Sequence, residues 1–283
     1  MHEPLHDPGG VVWAAAVESA LGETPSLGGS LMLLTLTFPY GGMVRVQEIW
    51  RFPVKSMQGE RLEAAEVRPQ GLRGDRAFAL FDTATGIGLT ARRVPQLLFA
   101  AAAYRNDGAV TITLPNGTTA DDDRALSDWL GRAVTLRAAA VGGERVFENP
   151  ADFEHDAVWE LFRGSAGAFH DSGKVQVSLL SRATIADWPR RRFRANILLD
   201  GSGEDALVRS RVGLGGAELF IRQRITRCVM VTRPQPEGIE GRIERDLDVL
   251  HAIHRERDSC LGIGATVVTP GGFAVGDELQ PPS

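Results

Sequence analysis

The chain has 283 residues, of which 43% are hydrophobic and 24% are charged, and its formal net charge is -5. This composition is that of a folded globular protein with one or two domains, and it gives no overall basic signal for nucleic-acid binding. The two cysteines, Cys228 and Cys260, are too few for a disulfide framework, so a reducing, cytoplasmic location is expected.

Residues 1–42 differ from the rest of the chain and are interpreted as a poorly ordered N-terminal extension. The apolar run Leu31–Phe38 is too short to span a bilayer, and no positive charge stands directly before it. We therefore expect neither a membrane anchor nor a secretory signal. Met43 immediately precedes the first strong strand pattern and is an alternative natural start.

From Met43 onward, short strand patterns separated by turn residues predominate. An Asn-Gly turn follows the alternating segment Ala109–Leu114, and the acidic run Asp121–Asp123 predicts a short helix that ends at Gly131. Further strands are predicted at Val44–Phe52, Arg76–Phe81, Val175–Leu180, Ile197–Asp200, Glu218–Arg222, Cys228–Thr232, Ala265–Thr269 and Phe273–Leu279.

Two more helices complete the predicted elements. Ser181 caps one that Trp188-Pro189 ends, and apolar residues at helical spacing indicate the other: Ile243, Leu247, Leu250 and Ile253. The pattern predicts a mainly β fold with a few helices (α+β) and barrel-like architecture. A composition shift near residues 141–150 divides it into domains at 43–140 and 141–283.

Arginines concentrate in one part of this acidic chain. Eleven arginines but only five acids lie between Arg182 and Arg233, a local charge of +6. Such a zone predicts either a site for an anion, such as a phosphate, or a solvated arginine-rich face. On a strand, Arg194 and Asn196 would share a face and offer a guanidinium fork and an amide. A charged edge strand that prevents aggregation is the alternative.

Cys228 follows three arginines within six residues, and cationic neighbours favour the thiolate, which is both a nucleophile and a soft metal ligand. Taken by itself, a lone cysteine is more often a packing residue, and Cys260 is interpreted in that way. Lys55-Ser56 presents a charge and a hydroxyl at a turn, although an ordinary turn has the same pattern. Lys55 is one of only two lysines, beside 29 arginines.

Six segments then follow one another in a recognisable order: Phe52–Ser56, Gly71–Arg76, Thr90–Pro95, Arg192–Asn196, Arg227-Cys228 and Gly272–Asp277. In this order they resemble the MOSC-domain family, named for the molybdenum cofactor sulfurase C-terminal domain. The resemblance covers roughly Val44 to Leu279 and implies a β-barrel MOSC domain packed with an N-terminal β-barrel-like domain. Two-domain members of the family include the mitochondrial amidoxime-reducing component and bacterial relatives.

The resemblance implies a pterin-based molybdenum cofactor, molybdopterin, whose metal is bound by Cys228. It assigns the cofactor's phosphate and pterin to side chains of both domains, with Thr226 beside the metal ligand: Lys55, Ser56 and Arg76 from the first, Arg194 and Asn196 from the second. Ala195 replaces the family's proline, and Met57 stands where relatives often have cysteine. Ser172 and Lys174 lie in a loosely matching segment and are weaker candidates for phosphate contacts.

The implied function is an oxidoreductase that reduces small N-hydroxylated substrates by oxygen-atom transfer. No iron–sulfur ligand set of several cysteines is present, so electrons would come from an external flavin, haem or iron–sulfur protein. The pyridoxal-phosphate module of full cofactor sulfurases is not found in this chain. Two alternatives stay open: a carrier that delivers the cofactor or relays sulfur as a Cys228 persulfide, and a binding module without any cofactor.

Overall fold

The computed structural model describes residues 43–140, 146–150, 158–164 and 167–280. The predicted extension at residues 1–42 lies outside the described residues. Within the described ranges the chain forms eighteen short strands, three α-helices and four 3-10 helices.

The strands are, in chain order, β1 (Val46–Arg51), β2 (Glu60–Leu62), β3 (Ala64–Arg68), β4 (Gly71–Leu72), β5 (Phe78–Asp82), β6 (Ala101–Tyr104), β7 (Val110–Thr113), β8 (Thr119–Ala120), β9 (Val134–Ala138), β10 (Val146–Pro150), β11 (Trp159–Arg163), β12 (Val177–Ser181), β13 (Ile197–Leu199), β14 (Arg211–Leu214), β15 (Ala217–Thr226), β16 (Cys260–Thr269), β17 (Gly271–Ala274) and β18 (Leu279–Gln280). The α-helices are α1 (Asp123–Leu130), α2 (Arg182–Ile185) and α3 (Asp248–Arg257). The 3-10 helices cover Pro95–Phe99, Arg190–Arg192, Glu204–Leu207 and Val229–Thr232.

Eight strands form one large sheet in the order β18-β14-β15-β16-β12-β13-β1-β2. Neighbours are antiparallel except for the parallel pair β12 and β13. The smaller sheets are β17-β3-β4, β6-β7-β8, β5-β9 and β10-β11. Strands from the two ends of the described chain therefore share two sheets, since β1 pairs with β13 and β17 pairs with β3.

The large sheet buries a row of aliphatic side chains across neighbouring strands. Ile197 of β13 lies opposite Ile49 on one side and Leu179 on the other, and Leu179 lies opposite Ile263. All four are fully buried. Burying a side chain of this size contributes roughly 1.5–3 kcal/mol. This packing fixes the register of β1 against β13, and with it the positions of the loops at their ends.

Two further clusters surround the turn that follows β1. One is aliphatic and includes Val54, Met57 and Leu80. The other is aromatic: the ring of Phe81 lies 5.5 Å from that of Phe147 and 5.6 Å from that of Phe169. The aromatic cluster joins β5 and β10 to the segment that leads into β12.

The predicted mainly β fold with a few helices is confirmed. The helix predicted after the acidic run is α1, where the Asp122 carboxylate accepts a hydrogen bond from the Ala125 backbone N–H at 2.8 Å. Gly131 ends α1 with a left-handed φ of 63°. The strand predictions differ from the observed bounds mainly at their ends.

The prediction of a strand at Cys228–Thr232 is wrong. β15 pairs with β16 as far as Thr226, which lies opposite Cys260, the first residue of β16. With no partner strand beyond that point, the chain turns into the 3-10 helix Val229–Thr232, which buries Val231 and Thr232.

The helix predicted after Ser181 forms as α2, but it ends at Ile185, before Trp188-Pro189, and Ser181 makes no side-chain capping hydrogen bond.

Two other local predictions are also wrong. β13 begins only at Ile197, and Arg194 has a left-handed φ of 51°, so Arg194 and Asn196 do not share the face of a strand. The helix expected from Ile243 onward begins at Asp248 instead, because Ile243 forms a β-bridge with Gln235.

The predicted domain boundary at residues 140 and 141 adjoins residues 141–145, which lie outside the described residues, and it stays a prediction. None of the helices in the described ranges has the length and apolar character needed to cross a membrane.

Candidate cofactor site

The pairing of β1 with β13 brings two candidate segments together. In an antiparallel pair, the residues that follow one strand lie beside the residues that precede the other. The turn at Val54–Met57 follows β1, and Arg194 precedes β13. Their contact is direct, because the Arg194 guanidinium donates from Nη1 to the Met57 carbonyl at 2.6 Å.

The turn itself is held by two other segments. The Lys55 backbone N–H donates to the Phe78 carbonyl at 2.8 Å, at the start of β5. The Ser56 hydroxyl oxygen accepts a hydrogen bond from the Ala91 backbone N–H at 2.9 Å. Ser56 has a φ of 71°, in the left-handed region that non-glycine residues rarely adopt. The turn is therefore fixed in a strained conformation.

The Lys55 ammonium is buried, since only 3% of the side chain is exposed. It donates to the Phe169 carbonyl at 3.1 Å, lies 4.9 Å from the centre of the Phe147 ring and forms an ion pair with Asp171. Burial lowers the pKa of Lys55, as do the nearby guanidiniums of Arg76 and Arg194, while Asp171 opposes the shift. The ammonium is thus a desolvated cation that depends on an anionic neighbour.

Arg76 and Arg194 lie against one aromatic ring, with guanidinium carbons 4.7 Å and 4.4 Å from the centre of Phe52. Nη2 of Arg76 also donates to the Arg194 carbonyl at 3.3 Å. Both residues have positive φ, 48° and 51°. Burial, followed by repulsion from Arg76, lowers the pKa of Arg194 to about 9, so its guanidinium stays charged at pH 7.

Two carboxylates accompany these cations. Asp75 is fully buried and accepts hydrogen bonds from Nη1 of Arg76 and, at 2.7 Å, from the Phe52 backbone N–H. Asp171 is the exposed partner of Lys55. We call Lys55, Ser56, Arg76 and Arg194 the anion pocket. Its three cations exceed its two carboxylates, which leaves a net positive charge.

Asn196 is buried next to this pocket, and both its amide oxygen and its amide nitrogen form hydrogen bonds within the fold. Its oxygen accepts hydrogen bonds from the Ser178 backbone N–H at 3.1 Å and from the Ser178 hydroxyl at 2.9 Å. Its nitrogen donates to the Trp50 carbonyl at 3.1 Å. The side chain therefore ties β12 to β1, and its assignment as a cofactor ligand stays a prediction.

Cys228 lies two residues beyond the end of β15, where Arg227 organises the surrounding chain. Arg227 donates from its backbone N–H to the Ser259 carbonyl at 2.8 Å and from Nε to the Leu261 carbonyl at 2.8 Å. Through these contacts Arg227 binds the backbone on both sides of Cys260. Cys228 is half-buried and is a free thiol. Thr226 is exposed, and its hydroxyl oxygen lies 3.7 Å from the Cys260 sulfur.

Arg227 also links Cys228 to the anion pocket. Its Nη1 donates to the carbonyl of Phe193 at 2.9 Å, and Phe193 directly precedes Arg194. Burial lowers the pKa of Arg227 to about 10, and the two cysteine side chains oppose the shift. The structure thus brings Lys55, Ser56, Arg76 and Arg194 together. Arg227, which stands between Thr226 and Cys228 in the chain, contacts the backbone that directly precedes Arg194.

Several important residues were not singled out by the sequence. Asp171 lies 116 residues from Lys55 along the chain, so no local pattern could pair them. Phe52 and Arg227 belonged to noted motifs, but their roles depend on packing. Of the weaker candidates, Ser172 accepts a hydrogen bond from the Lys174 backbone N–H at 3.1 Å, and the Lys174 side chain is exposed.

The residues present fit a cofactor with an anionic end and a soft metal. Guanidinium and ammonium donors with a net positive charge suit a phosphate. Nη2 of Arg227 is buried and has no hydrogen-bond partner within the described ranges, so it retains a donor that a ligand could use. The half-buried thiol of Cys228 is a suitable ligand for a thiol-rich molybdenum centre.

Two protein-family models match most of this chain. Residues 43–153 match the family model described as the MOSC N-terminal beta barrel domain, and residues 167–280 match the MOSC domain. The chain is 26% identical to the mitochondrial amidoxime reducing component 2 of Bos taurus over 237 residues, which cover 70% of this chain and 69% of the relative.

Solved structures give weaker similarities. The YuaD protein of Bacillus subtilis aligns with a TM-score of 0.39 and 11% identity over 84% of this chain and 94% of that protein. YiiM from Geobacillus stearothermophilus aligns with a TM-score of 0.32 and 15% identity over 50% of this chain and 73% of that protein.

Proposed function

The chain belongs to the MOSC-domain family, with that family's N-terminal beta barrel domain ahead of the MOSC domain, and from this we propose that it is a molybdenum-dependent oxidoreductase acting on N-hydroxylated compounds. MOSC domains are associated with the molybdenum cofactor. The observation that carries the proposal is the path from the anion pocket through Phe193 and Arg227 to the free thiol of Cys228.

In this proposal the anion pocket binds the phosphate end of the cofactor. Arg76 and Arg194 are held against Phe52, so their guanidiniums keep one orientation and lose little freedom when a ligand binds. Lys55 adds a point charge, and Ser56 adds a hydroxyl proton, because its oxygen already accepts from Ala91. The pocket thereby fixes one end of the cofactor by charge and position.

At the other end, Cys228 supplies a thiolate ligand to the molybdenum. Arg227 holds the chain before Cys228, and its guanidinium interacts electrostatically with the Cys228 sulfur. Thr226 stands exposed next to this segment, and the Asn196 amide forms hydrogen bonds to both β1 and β12. When bound, the cofactor supplies the oxygen-atom transfer chemistry, and the protein positions and tunes it.

The substrate class rests on the similarity to the amidoxime reducing component. The proposal therefore includes a small N-hydroxylated substrate, such as an amidoxime or a hydroxylamine, and a separate electron-donor protein of the flavin, haem or iron–sulfur type. Two free cysteines suit a reducing location, so the proposal places the protein in the cytoplasm.

A reductase assay tests the proposal. The full chain, purified from a host that makes the cofactor, is given benzamidoxime and reduced methyl viologen as an artificial electron donor. Wild type should form the amidine. Cys228→Ser should be at least about tenfold slower, because losing a metal ligand should cost at least as much as losing one of its outer-shell partners. Cys260→Ser is the matched control and should retain the activity.

The same assay distinguishes the proposed enzyme from the second candidate function, which is a carrier of the cofactor or of sulfur. The half-exposed free thiol of Cys228 also suits a carrier that relays sulfur. Stoichiometric molybdenum without any reduction of amidoximes or hydroxylamines would favour the cofactor carrier over the enzyme. Equal activity of wild type and Cys228→Ser would contradict the proposed role of the thiol.

A further inference from the structure

The two carboxylates beside the anion pocket are held in different ways. Asp75 is fully buried and binds both the Arg76 guanidinium and the backbone N–H of Phe52. The Asp171 side chain is 88% exposed, and its contact is with the Lys55 ammonium. Asp75 is therefore fixed in place by the fold. The Asp171 carboxylate, by contrast, can turn into solvent, where water replaces its hydrogen-bond partner.

Lys55 needs an anion in a way that an exposed lysine does not. Its side chain is 3% exposed, and its other neighbours, the Phe169 carbonyl and the Phe147 ring, carry no negative charge. A buried ammonium without a counter-charge is costly. The guanidiniums of Arg76 and Arg194 add repulsion. In the absence of a ligand, Asp171 is the group that supplies this counter-charge.

We propose that Asp171 is a displaceable counter-ion, which neutralises Lys55 in the empty pocket and gives way to the phosphate of the incoming cofactor. The inference rests on the proposed function, since it takes phosphate as the ligand of the anion pocket. A phosphate and a carboxylate that compete for one ammonium repel each other. Asp171 therefore weakens anion binding while it stabilises the empty pocket.

Titration calorimetry with inorganic phosphate tests this on the full-length, cofactor-free protein. Asp171→Asn removes the competing charge and should bind phosphate roughly three- to tenfold more tightly than wild type. Asp128→Asn is the matched control. It makes the same change in net charge at an exposed residue of α1 that faces Arg124, and it should bind as wild type does.

Arg194→Ala shows where the phosphate binds and should weaken binding at least about tenfold. Circular dichroism and thermal unfolding of all variants establish that they are folded. Tighter binding by Asp171→Asn but not by Asp128→Asn supports the proposal. Equal or weaker binding by Asp171→Asn, or no phosphate binding by any of the proteins, overturns it.

The phosphate titration and the reductase assay test the two proposals independently. If the protein carries no molybdenum but binds phosphate more tightly after Asp171→Asn, the proposed oxidoreductase function is contradicted and the proposed role of Asp171 as a counter-ion still holds. If the protein is an active molybdenum enzyme but Asp171→Asn leaves phosphate binding unchanged, the proposed function holds and the proposed role of Asp171 is contradicted.

Discussion

Three residues of the anion pocket have a backbone conformation that glycine adopts far more readily. Ser56, Arg76 and Arg194 have φ values of 71°, 48° and 51°. Each such residue costs on the order of 1–3 kcal/mol and persists only where its surroundings fix it. Contacts with Ala91 and Met57 do so for the first and the last. Strain of this kind concentrates at binding sites, which supports the assignment of the pocket.

At this scale we predict that Arg194→Ala lowers the amount of cofactor retained on purification. The guanidinium provides a charge-assisted hydrogen bond, worth about 1.5–3 kcal/mol, so affinity should fall at least about tenfold. The measurement is pterin fluorescence per chain after oxidative release. Arg222→Ala, at an exposed arginine of β15 beside Phe220, is the control. Equal retention by the two variants would show that Arg194 does not bind the cofactor.

The arginine-rich zone has two roles that its composition does not separate. Arg191 and Arg192 are buried and donate to backbone carbonyls of residues 231–244. Arg190 lies 4.0 Å over the Trp50 ring and pairs with Glu48. Arg190, Arg191 and Arg192 therefore hold the surrounding backbone and β1 in place, whereas Arg194 and Arg227 belong to the proposed site.

Asn196 gives a prediction at the level of the elements. Asn196→Ala leaves the Trp50 carbonyl and both donors of Ser178 without their partner, so the free energy of unfolding should fall by about 2–4 kcal/mol. Chemical denaturation measures it. Asn116→Ala, in an exposed turn where the side chain accepts from Thr118, should cost less than about 1 kcal/mol.

If Asn196→Ala is as stable as Asn116→Ala but loses the cofactor, then Asn196 is a ligand and its structural role is secondary. That outcome would restore the role that the sequence resemblance implied.

The sequence predicted several elements that local chemistry decides. The acidic cap and terminal glycine of α1 and the alternating strand β7 are of this kind. Prediction from the sequence failed where residues distant in the chain decide the local structure. The chain after Cys228 is not a strand because β16 begins opposite Thr226. The Lys55–Asp171 pair joins segments that only the packing of Phe147 and Phe169 brings together.

At the scale of the whole molecule, the segments that match the two domain models share sheets. β1 lies between β13 and β2 in the large sheet, and β17 near the C-terminus pairs with β3 near the start. Removing the first 140 residues would uncover the edge of β13, where Ile197 and Leu199 are buried. An exposed hydrophobic strand edge promotes aggregation.

We therefore predict that fragments 43–140 and 141–283 do not fold when expressed separately, and that they form a folded complex when expressed together. Circular dichroism and size-exclusion chromatography measure this. Fragment 43–283 is the control and should be a folded species. Two separately folded, monomeric fragments would instead establish the predicted boundary as one between independent domains.

X-ray absorption spectroscopy at the molybdenum edge tests most directly whether Cys228 is a metal ligand. Wild type purified from a cofactor-producing host should contain molybdenum, and Cys228→Ser should show one sulfur neighbour fewer at the metal. Cys260→Ser should match wild type. An absence of molybdenum from wild type, or the same sulfur coordination in wild type and Cys228→Ser, would contradict the assignment of this thiolate as the metal ligand.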